Sequence, residues 1–176
     1  MITSSTEQVR GWFTGRLPEE WQAAPAEVTV DREEITVLLH VAGPGTAPDV
    51  SGDEAAAARA GRAKAFREDT RERRMAIARE AERRFGRTVS WGVVVGEGTD
   101  AHRELFTNVA APVMTRLRQP ERIVLDTLVD AGVARSRSHA LAWCVRLVRQ
   151  HEGDWLGELR EAMHSVDEVR RKGPAA

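Results

Sequence analysis

Cysteine is nearly absent from this chain, which has a single one, Cys144. One cysteine cannot build a framework of internal disulfide bonds, and it suits a reducing cytoplasm. The N-terminal stretch MITSSTEQVR lacks the basic start and the apolar run of a signal peptide. No apolar run approaches the roughly 20 residues that a helix needs to cross a bilayer. These absences predict a cytoplasmic protein that has no membrane partner.

Lysine is also scarce, because only Lys64 and Lys172 among the 26 basic residues are lysine. Richness in arginine and alanine is typical of bacterial genomes of high GC content. The number of arginines is therefore no evidence of nucleic-acid binding in a chain whose net charge is −1. Their placement along the chain is what can indicate a function.

Motifs for catalysis, cofactors and metals are lacking as well. Gly43-Pro44-Gly45 has neither the glycine pattern nor the following lysine of a phosphate-binding loop. Cys144 falls on an apolar helix face, which favours a buried small residue over a nucleophile. Because His, Asp, Glu and Cys are not clustered at workable spacings, we expect no enzyme, no metal site and no cofactor.

The first hundred residues predict an α+β domain. Helical spacing indicates a helix over 4–17, and alternation indicates a hairpin over 27–41. A loop is expected over 42–60, with a helix start near Asp53, and a long charged helix follows over 62–85. TVSWGVVV at 88–95 predicts a strand. This α-β-β-α-β order suits a small antiparallel sheet with helices on one face.

We therefore divide the sequence into an α+β domain over 1–99, a linker over 100–112 and a second domain over 113–176. The linker is expected to include a short helix around 102–107. A further helix is predicted over 154–171, at the end of the second domain.

The segment from Val113 to Arg149 is much more basic than the rest of the chain, with seven arginines, three acids and a net charge of +4. Alternation predicts a strand over 113–118. Pro120 then permits a helix to begin, Gly132 ends that helix, and Ser136 caps a second one.

This strand needs a partner, because its backbone amides and carbonyls cannot satisfy themselves. The simplest partner is the same strand of a second copy, which would give a two-stranded antiparallel ribbon. Its outward face would present Met114, Arg116 and Arg118 twice. Such a ribbon fits the DNA major groove, where arginine can make bidentate hydrogen bonds to guanine. Amides near Ser136–Ser138 can bind a phosphate.

LDTLVDAGVARSRSHALAWCVRLV, over 125–148, resembles the two-helix stretch of the ribbon-helix-helix (Arc/MetJ-like) family of repressors. Its Ser-Arg-Ser at 136–138 matches a turn common in that family. The resemblance implies an obligate homodimer whose strands contact bases and whose second helix contacts phosphate at its N-terminus. Thr115 departs from the family, which usually has an aliphatic residue at that inward position. The predicted base contacts are Met114, Arg116 and Arg118, and the predicted phosphate contacts are Arg135, Ser136, Arg137 and Ser138.

The sequence therefore predicts a dimeric protein that binds double-stranded DNA as a sequence-specific transcriptional regulator. The N-terminal domain would bind a protein or small-molecule partner. An architectural or antitoxin-like role is the alternative within DNA binding. In a different class, the helix pair only oligomerises, and the N-terminal domain carries a ligand-binding, protein-binding or enzymatic function.

Overall fold

The computed structural model describes residues 5–45, 51–107, 109–151 and 155–172. The chain divides into two compact units, Met1–Pro112 and Val113–Ala176. Both α-helices and a β-sheet are present, so the chain is mixed α+β. Within the described ranges, no helix is long and apolar enough to cross a membrane.

The first unit combines helices with a four-stranded sheet of order β1-β2-β3-β4. Its elements are α1 (Thr6–Arg16), β1 (Ala24–Val30), β2 (Glu34–Val41), α2 (Gly52–Asp69), α3 (Arg71–Phe85), β3 (Thr88–Val95) and β4 (His102–Leu105), with short 3-10 turns at Glu19–Trp21 and Gly98–Asp100. Strands β1 and β2 form the predicted hairpin, and β3 pairs antiparallel with β4. Strand β3, however, runs parallel to β2. The prediction of an antiparallel sheet was wrong at this pair, because α2 and α3 form the crossover between two parallel strands.

Helix α1 begins at a reciprocal cap. The backbone N–H of Gln8 donates to Ser5 Oγ at 3.2 Å, and the backbone N–H of Ser5 donates to Gln8 Oε1 at 3.0 Å. This capping box satisfies two backbone groups that a helix N-terminus otherwise leaves without partners. The helix predicted over 4–17 is confirmed as Thr6–Arg16, while Ser4 lies outside the described residues.

The core of the first unit lies between one face of the sheet and the helices. Although β3 also buries Ser90 and Val94 on its other face, the residues expected to share this face of β2 and β3 are buried, as predicted. They are Ile35, Val37, Leu39 and Val41 on β2 and Val89, Trp91, Val93 and Val95 on β3. Phe13 of α1, Phe66 of α2 and Ile77 of α3 pack into the same core.

The middle of the first unit confirms one prediction and corrects another. Helix α2 begins at Gly52, next to the start expected near Asp53, whereas residues 46–50 of the expected loop lie outside the described ranges. Ser51 Oγ accepts the Glu54 amide at 3.2 Å, and the alanines that follow favour helix strongly. The charged helix expected over 62–85 is two helices that meet at Thr70, whose hydroxyl donates to the Phe66 carbonyl at 2.6 Å.

Strand β4 occupies part of the region expected to be a linker. A short helix was predicted around 102–107, but His102–Leu105 pairs with β3 instead. The Phe106 amide donates to the Trp91 carbonyl at 2.8 Å and extends this pairing. The order of elements in the first unit is thus α-β-β-α-α-β-β, rather than α-β-β-α-β.

The second unit consists of helices α4 (Gln119–Asp130), α5 (Arg137–His151) and α6 (Trp155–Lys172). Pro120 lies in the first turn of α4, and Gly132, with a φ of 73°, follows its end. The Val133 amide donates to the Leu128 carbonyl at 3.0 Å, and the Gly132 amide donates to the Val129 carbonyl at 3.0 Å. These two bonds form a Schellman motif, which confirms the predicted end of the helix. The last helix was predicted to begin at Asp154, which lies outside the described residues.

Candidate nucleic-acid interface

The segment Val113–Arg118 precedes α4 and is strongly exposed. Met114 retains 95% and Val113 85% of its accessible surface. Within this single chain, the described residues 109–118 form no helix and pair with no strand. The backbone at Arg118 is extended, with φ −79° and ψ 173°. Apart from the Leu117 and Arg118 carbonyls, which accept hydrogen bonds from Arg122, the backbone groups of the segment are open to an external partner.

Leu117 fixes which side of this segment faces the helices. Its side chain packs against the core formed by α4 and α5. Arg122 Nη1 donates to the Leu117 carbonyl at 2.8 Å and ties the segment to the first turn of α4. Arg116 and Arg118, one residue to either side, are exposed and form no ion pair in the described part of the chain. Both guanidinium groups are available for contacts outside the chain.

The core of the second unit is small. Leu125, Ala134 and Ala140 are the buried apolar residues among those described, and five partly buried neighbours surround them. Cys144 is one of these neighbours, partly buried as a free thiol. Large apolar side chains stay exposed elsewhere on the unit: Val113, Met114, Ile123, Val124, Val133, Val145, Leu147, Val148, Trp155, Leu159, Met163 and Val166. The first unit, although larger, exposes only Met75, Leu105 and Val109 among its described large apolar residues.

The start of α5 carries the predicted phosphate contacts. Ser136 Oγ accepts the His139 amide at 3.2 Å, which confirms the predicted cap. The Arg135 amide donates to His139 Nδ1 at 3.3 Å. The amides of Arg137 and Ser138 lie in the first turn, where helix geometry provides no acceptor. This end of the helix exposes two N–H donors together with the Arg135 side chain.

Arg137 has a partner that the sequence did not reveal. Its Nε donates to Asp126 Oδ1 at 2.6 Å, and its Nη2 donates to Asp126 Oδ2 at 2.7 Å. The hydrogen bond from Arg137 holds the pKa of the Asp126 carboxyl below its ordinary value, and the same bond raises the pKa of Arg137. The two residues are eleven positions apart in the sequence, on either side of the turn between α4 and α5, so no helical spacing rule pairs them. The pair links α4 to α5 and leaves Arg137 Nη1 for other contacts.

Among the residues that the structure describes, no group of three His, Cys, Asp or Glu side chains could hold a metal ion.

Two family models match this chain. The model described as "Rv1265-like protein, N-terminal domain" matches residues 7–101. The model described as "Mb1296 C-terminal domain" matches residues 118–170. The first match lies within the first unit, and the second covers the three helices of the second unit almost completely.

Similar proteins occur in mycobacteria. They include the uncharacterized protein Mb1296 of Mycobacterium bovis and the uncharacterized proteins MT1303 and Rv1265 from two strains of Mycobacterium tuberculosis. Each is 58% identical over 165 residues, which cover 93% of this chain and 69% of the relative. No solved structure matches the chain significantly.

Proposed function

This chain belongs to the family of Rv1265-like proteins, and we propose that it is a cytoplasmic homodimer that binds double-stranded DNA as a sequence-specific transcriptional regulator. The observation that carries the proposal is the exposed segment Val113–Arg118, which is anchored by Leu117 to a helix pair and has no partner strand among the described residues. In this proposal the second unit is a ribbon-helix-helix domain extended by α6, and it performs no catalysis.

We infer dimerisation because the second unit buries few apolar side chains and exposes many. The three buried apolar residues among those described make a weak core for two helices, while many large apolar side chains remain in water. Exposed apolar side chains that adjoin one another mark an interaction site. A second copy would bury the exposed faces of α4 and α5 about a two-fold axis.

The ribbon follows from the backbone of 113–118. Its amides and carbonyls, apart from the Leu117 and Arg118 carbonyls bound by Arg122, need hydrogen-bond partners, and an antiparallel copy of the same segment would supply them. Since Leu117 faces the helices, alternation turns Arg116 and Arg118 to the opposite side, together with Met114. The ribbon would then offer four arginines to the edges of bases in the major groove.

Phosphate contacts would come from the start of α5. The free first-turn amides of Arg137 and Ser138 and the positive end of the helix dipole favour an anion there. The exposed side chain of Arg135 and the hydroxyl of Ser138 would add to this site. Arg137 would contribute through its amide and Nη1, because Asp126 holds its other two donors.

The proposal is tested by selection from random duplex DNA with the purified full chain, followed by binding measurements on the selected site and on a scrambled one. Arg116→Ala should reduce discrimination between the two duplexes by roughly 1–3 kcal/mol for each base that the variant no longer hydrogen-bonds. Arg83→Ala is the matched control, because it removes an exposed arginine from α3. That variant should bind both duplexes as the wild type does.

Two outcomes would contradict this function. One is that the protein binds no duplex at about 100 mM salt, a concentration that weakens purely electrostatic binding. The helix pair would then serve oligomerisation alone. If Arg116→Ala weakens both duplexes equally, the ribbon does not read bases, and an architectural role replaces that of a sequence-specific regulator.

A further inference from the structure

A groove opens in the first unit between helices α2 and α3 and the edge formed by β3 and β4. Its volume is about 870 Å³, within the range of roughly 300–1,000 Å³ that is typical of small-molecule sites. Its apolar lining includes Met75, Ala78, Val89, Trp91 and Phe106. It lies entirely within residues 60–107, so it is formed by one unit alone.

Positive charge dominates the rim of this groove. The basic lining residues are Lys64, Arg67, Arg71 and Arg74, and the acidic ones are Glu68 and Glu104. Arg67 Nη1 lies 3.7 Å from Glu104 Oε1, a loose pair that leaves most of the excess charge uncompensated. The three arginines come from the end of α2 and the start of α3.

Arg74 is the deepest of these cations, with 6% of its surface exposed. Its Nε donates to Thr70 Oγ1 at 2.9 Å, and its Nη2 donates to the Arg67 carbonyl at 2.6 Å. These bonds help to close the end of α2, but neither partner carries a negative charge. Burial, followed by the charges of Arg67 and Arg71, lowers the pKa of Arg74 to about 10. A buried guanidinium without a counter-charge is costly, and an anion in the groove would relieve that cost.

Aromatic rings adjoin the cations. The Arg74 guanidinium carbon lies 4.7 Å from the centroid of Phe106, and that of Arg67 lies 5.6 Å from the same centroid. Trp91 also lines the groove, and its buried indole N–H finds no acceptor among the described residues. An unsatisfied buried donor costs free energy, so this N–H favours a ligand that brings an acceptor.

We propose that this groove binds a small organic anion that carries a phosphate or carboxylate on an aromatic or apolar body. The oxyanion contacts Arg67, Arg71 and Arg74, since charge-assisted hydrogen bonds to guanidinium are strong and directional. The apolar body packs against Phe106 and Met75, and an acceptor on the ligand takes the hydrogen bond of the Trp91 indole. This site belongs to the first unit and does not depend on DNA binding by the second.

Calorimetric titration of the full chain tests this site with phenyl phosphate and phenylacetate as probes. Inorganic phosphate and benzyl alcohol are the partial probes, because each supplies only one half of the proposed ligand. We expect saturable binding of at least one aryl anion, with a lower Kd than either partial probe. Whichever aryl anion binds more tightly identifies the oxyanion that the groove prefers.

The decisive comparison is between two double variants that change the net charge by the same amount. Arg67→Gln with Arg71→Gln should weaken binding of the aryl anion at least roughly tenfold, because removing each charge-assisted hydrogen bond costs more than about 1 kcal/mol. Arg32→Gln with Arg83→Gln removes two exposed arginines elsewhere in the unit and should leave the Kd unchanged. Unchanged thermal unfolding without ligand verifies that each pair of substitutions preserves the fold.

The indole N–H of Trp91 provides a second readout. Its nitrogen-15 NMR signal, assigned with Trp91→Phe, should shift progressively as the aryl anion saturates the wild type. The proposal is overturned if neither aryl anion binds below about 10 mM at about 100 mM salt. It is also overturned if both variant pairs lose affinity equally or if the Trp91 signal does not move at saturation.

Discussion

Gly92 of β3 lies where neighbouring strands leave no space for a side chain. A Cβ at this position would meet the Glu104 carbonyl oxygen at 2.7 Å and Leu38 Cδ2 at 2.5 Å. The leucine side chain can move, but the carbonyl belongs to the backbone of β4, which pairs with β3 at this point. Close approach of β4 therefore depends on the glycine.

Gly92→Ala should destabilise the first unit by about 1–3 kcal/mol, as expected for overpacking. Gly61→Ala in α2 is the control, because nothing lies within 4 Å of its added Cβ. That substitution should stabilise the protein by about 0.5–1 kcal/mol through helix propensity. Urea unfolding measures both free energies. A Gly92→Ala variant as stable as the wild type would show that β4 adjusts freely.

The ion pair between Asp126 and Arg137 makes the stability of the second unit depend on pH. Because the hydrogen bond from Arg137 lowers the pKa of folded Asp126, the pair stabilises the fold above the unfolded pKa of about 3.9. That stabilisation is lost as the pH falls through the folded pKa. The melting temperature of Asp126→Asn should therefore lie below that of the wild type at pH 7, and the gap should narrow toward pH 3.

Asp130→Asn on the same helix is the control for this titration, since Asp130 has no ion pair in the described part of the chain. Its melting temperature should follow that of the wild type more closely at every pH. A gap between Asp126→Asn and the wild type that stays constant from pH 7 to pH 3 would mean that the pair does not stabilise the fold.

At the scale of elements, the proposed ribbon makes the structure of segment 113–118 depend on a second copy of the chain. Thr115→Pro removes an amide from the proposed ribbon and should shift the protein from dimer to monomer. Thr115→Val should strengthen the dimer, because a branched apolar side chain suits an inward position of a strand. Sedimentation equilibrium at low micromolar concentration measures both shifts.

A wild-type protein that sediments as a monomer at this concentration would refute the shared ribbon. A Thr115→Pro variant that remains fully dimeric would refute it equally, since the dimer would then depend only on the helix faces.

At the scale of the whole molecule, the two units have different reasons to be stable. The first has a continuous core between its sheet and three helices. Among its described residues, the second has a core of three buried residues and many exposed large apolar side chains. We therefore expect residues 1–112 to fold as a monomer and residues 113–176 to fold as a dimer.

The two fragments, produced separately, test this division. Residues 113–176 should dimerise and should bind the duplex selected by the full chain, because the ribbon and both helices lie within the fragment. Residues 1–112 should be monomeric by sedimentation. A fragment 113–176 that is helical and dimeric but does not bind the duplex would assign part of the DNA surface to the first unit.

The sequence determined the elements that carry their own local signals. Ser5 and Gln8 at the start of α1 and Gly132 at the end of α4 satisfy the backbone with groups a few residues away. The alternation of β2 and β3 marks one apolar face within each strand, although the two strands pair with each other across a long stretch of chain. For that reason the hairpin, strand β3 and the helix pair could be predicted closely. Arg116 and Arg118 are exposed, as the alternation of 113–118 predicts, but Val113 and Thr115 on the predicted inward side are exposed as well.

The tertiary structure decided what depends on residues far apart in the chain. The four residues of β4 are a strand because β3 supplies their hydrogen-bond partners, and β3 is parallel to β2 because two helices form the crossover. Arg137 meets Asp126, and Arg74 lies between Phe106 and the end of α2, through packing that no local spacing encodes. Such contacts form only when the chain closes long loops, so their energies are properties of the assembled fold.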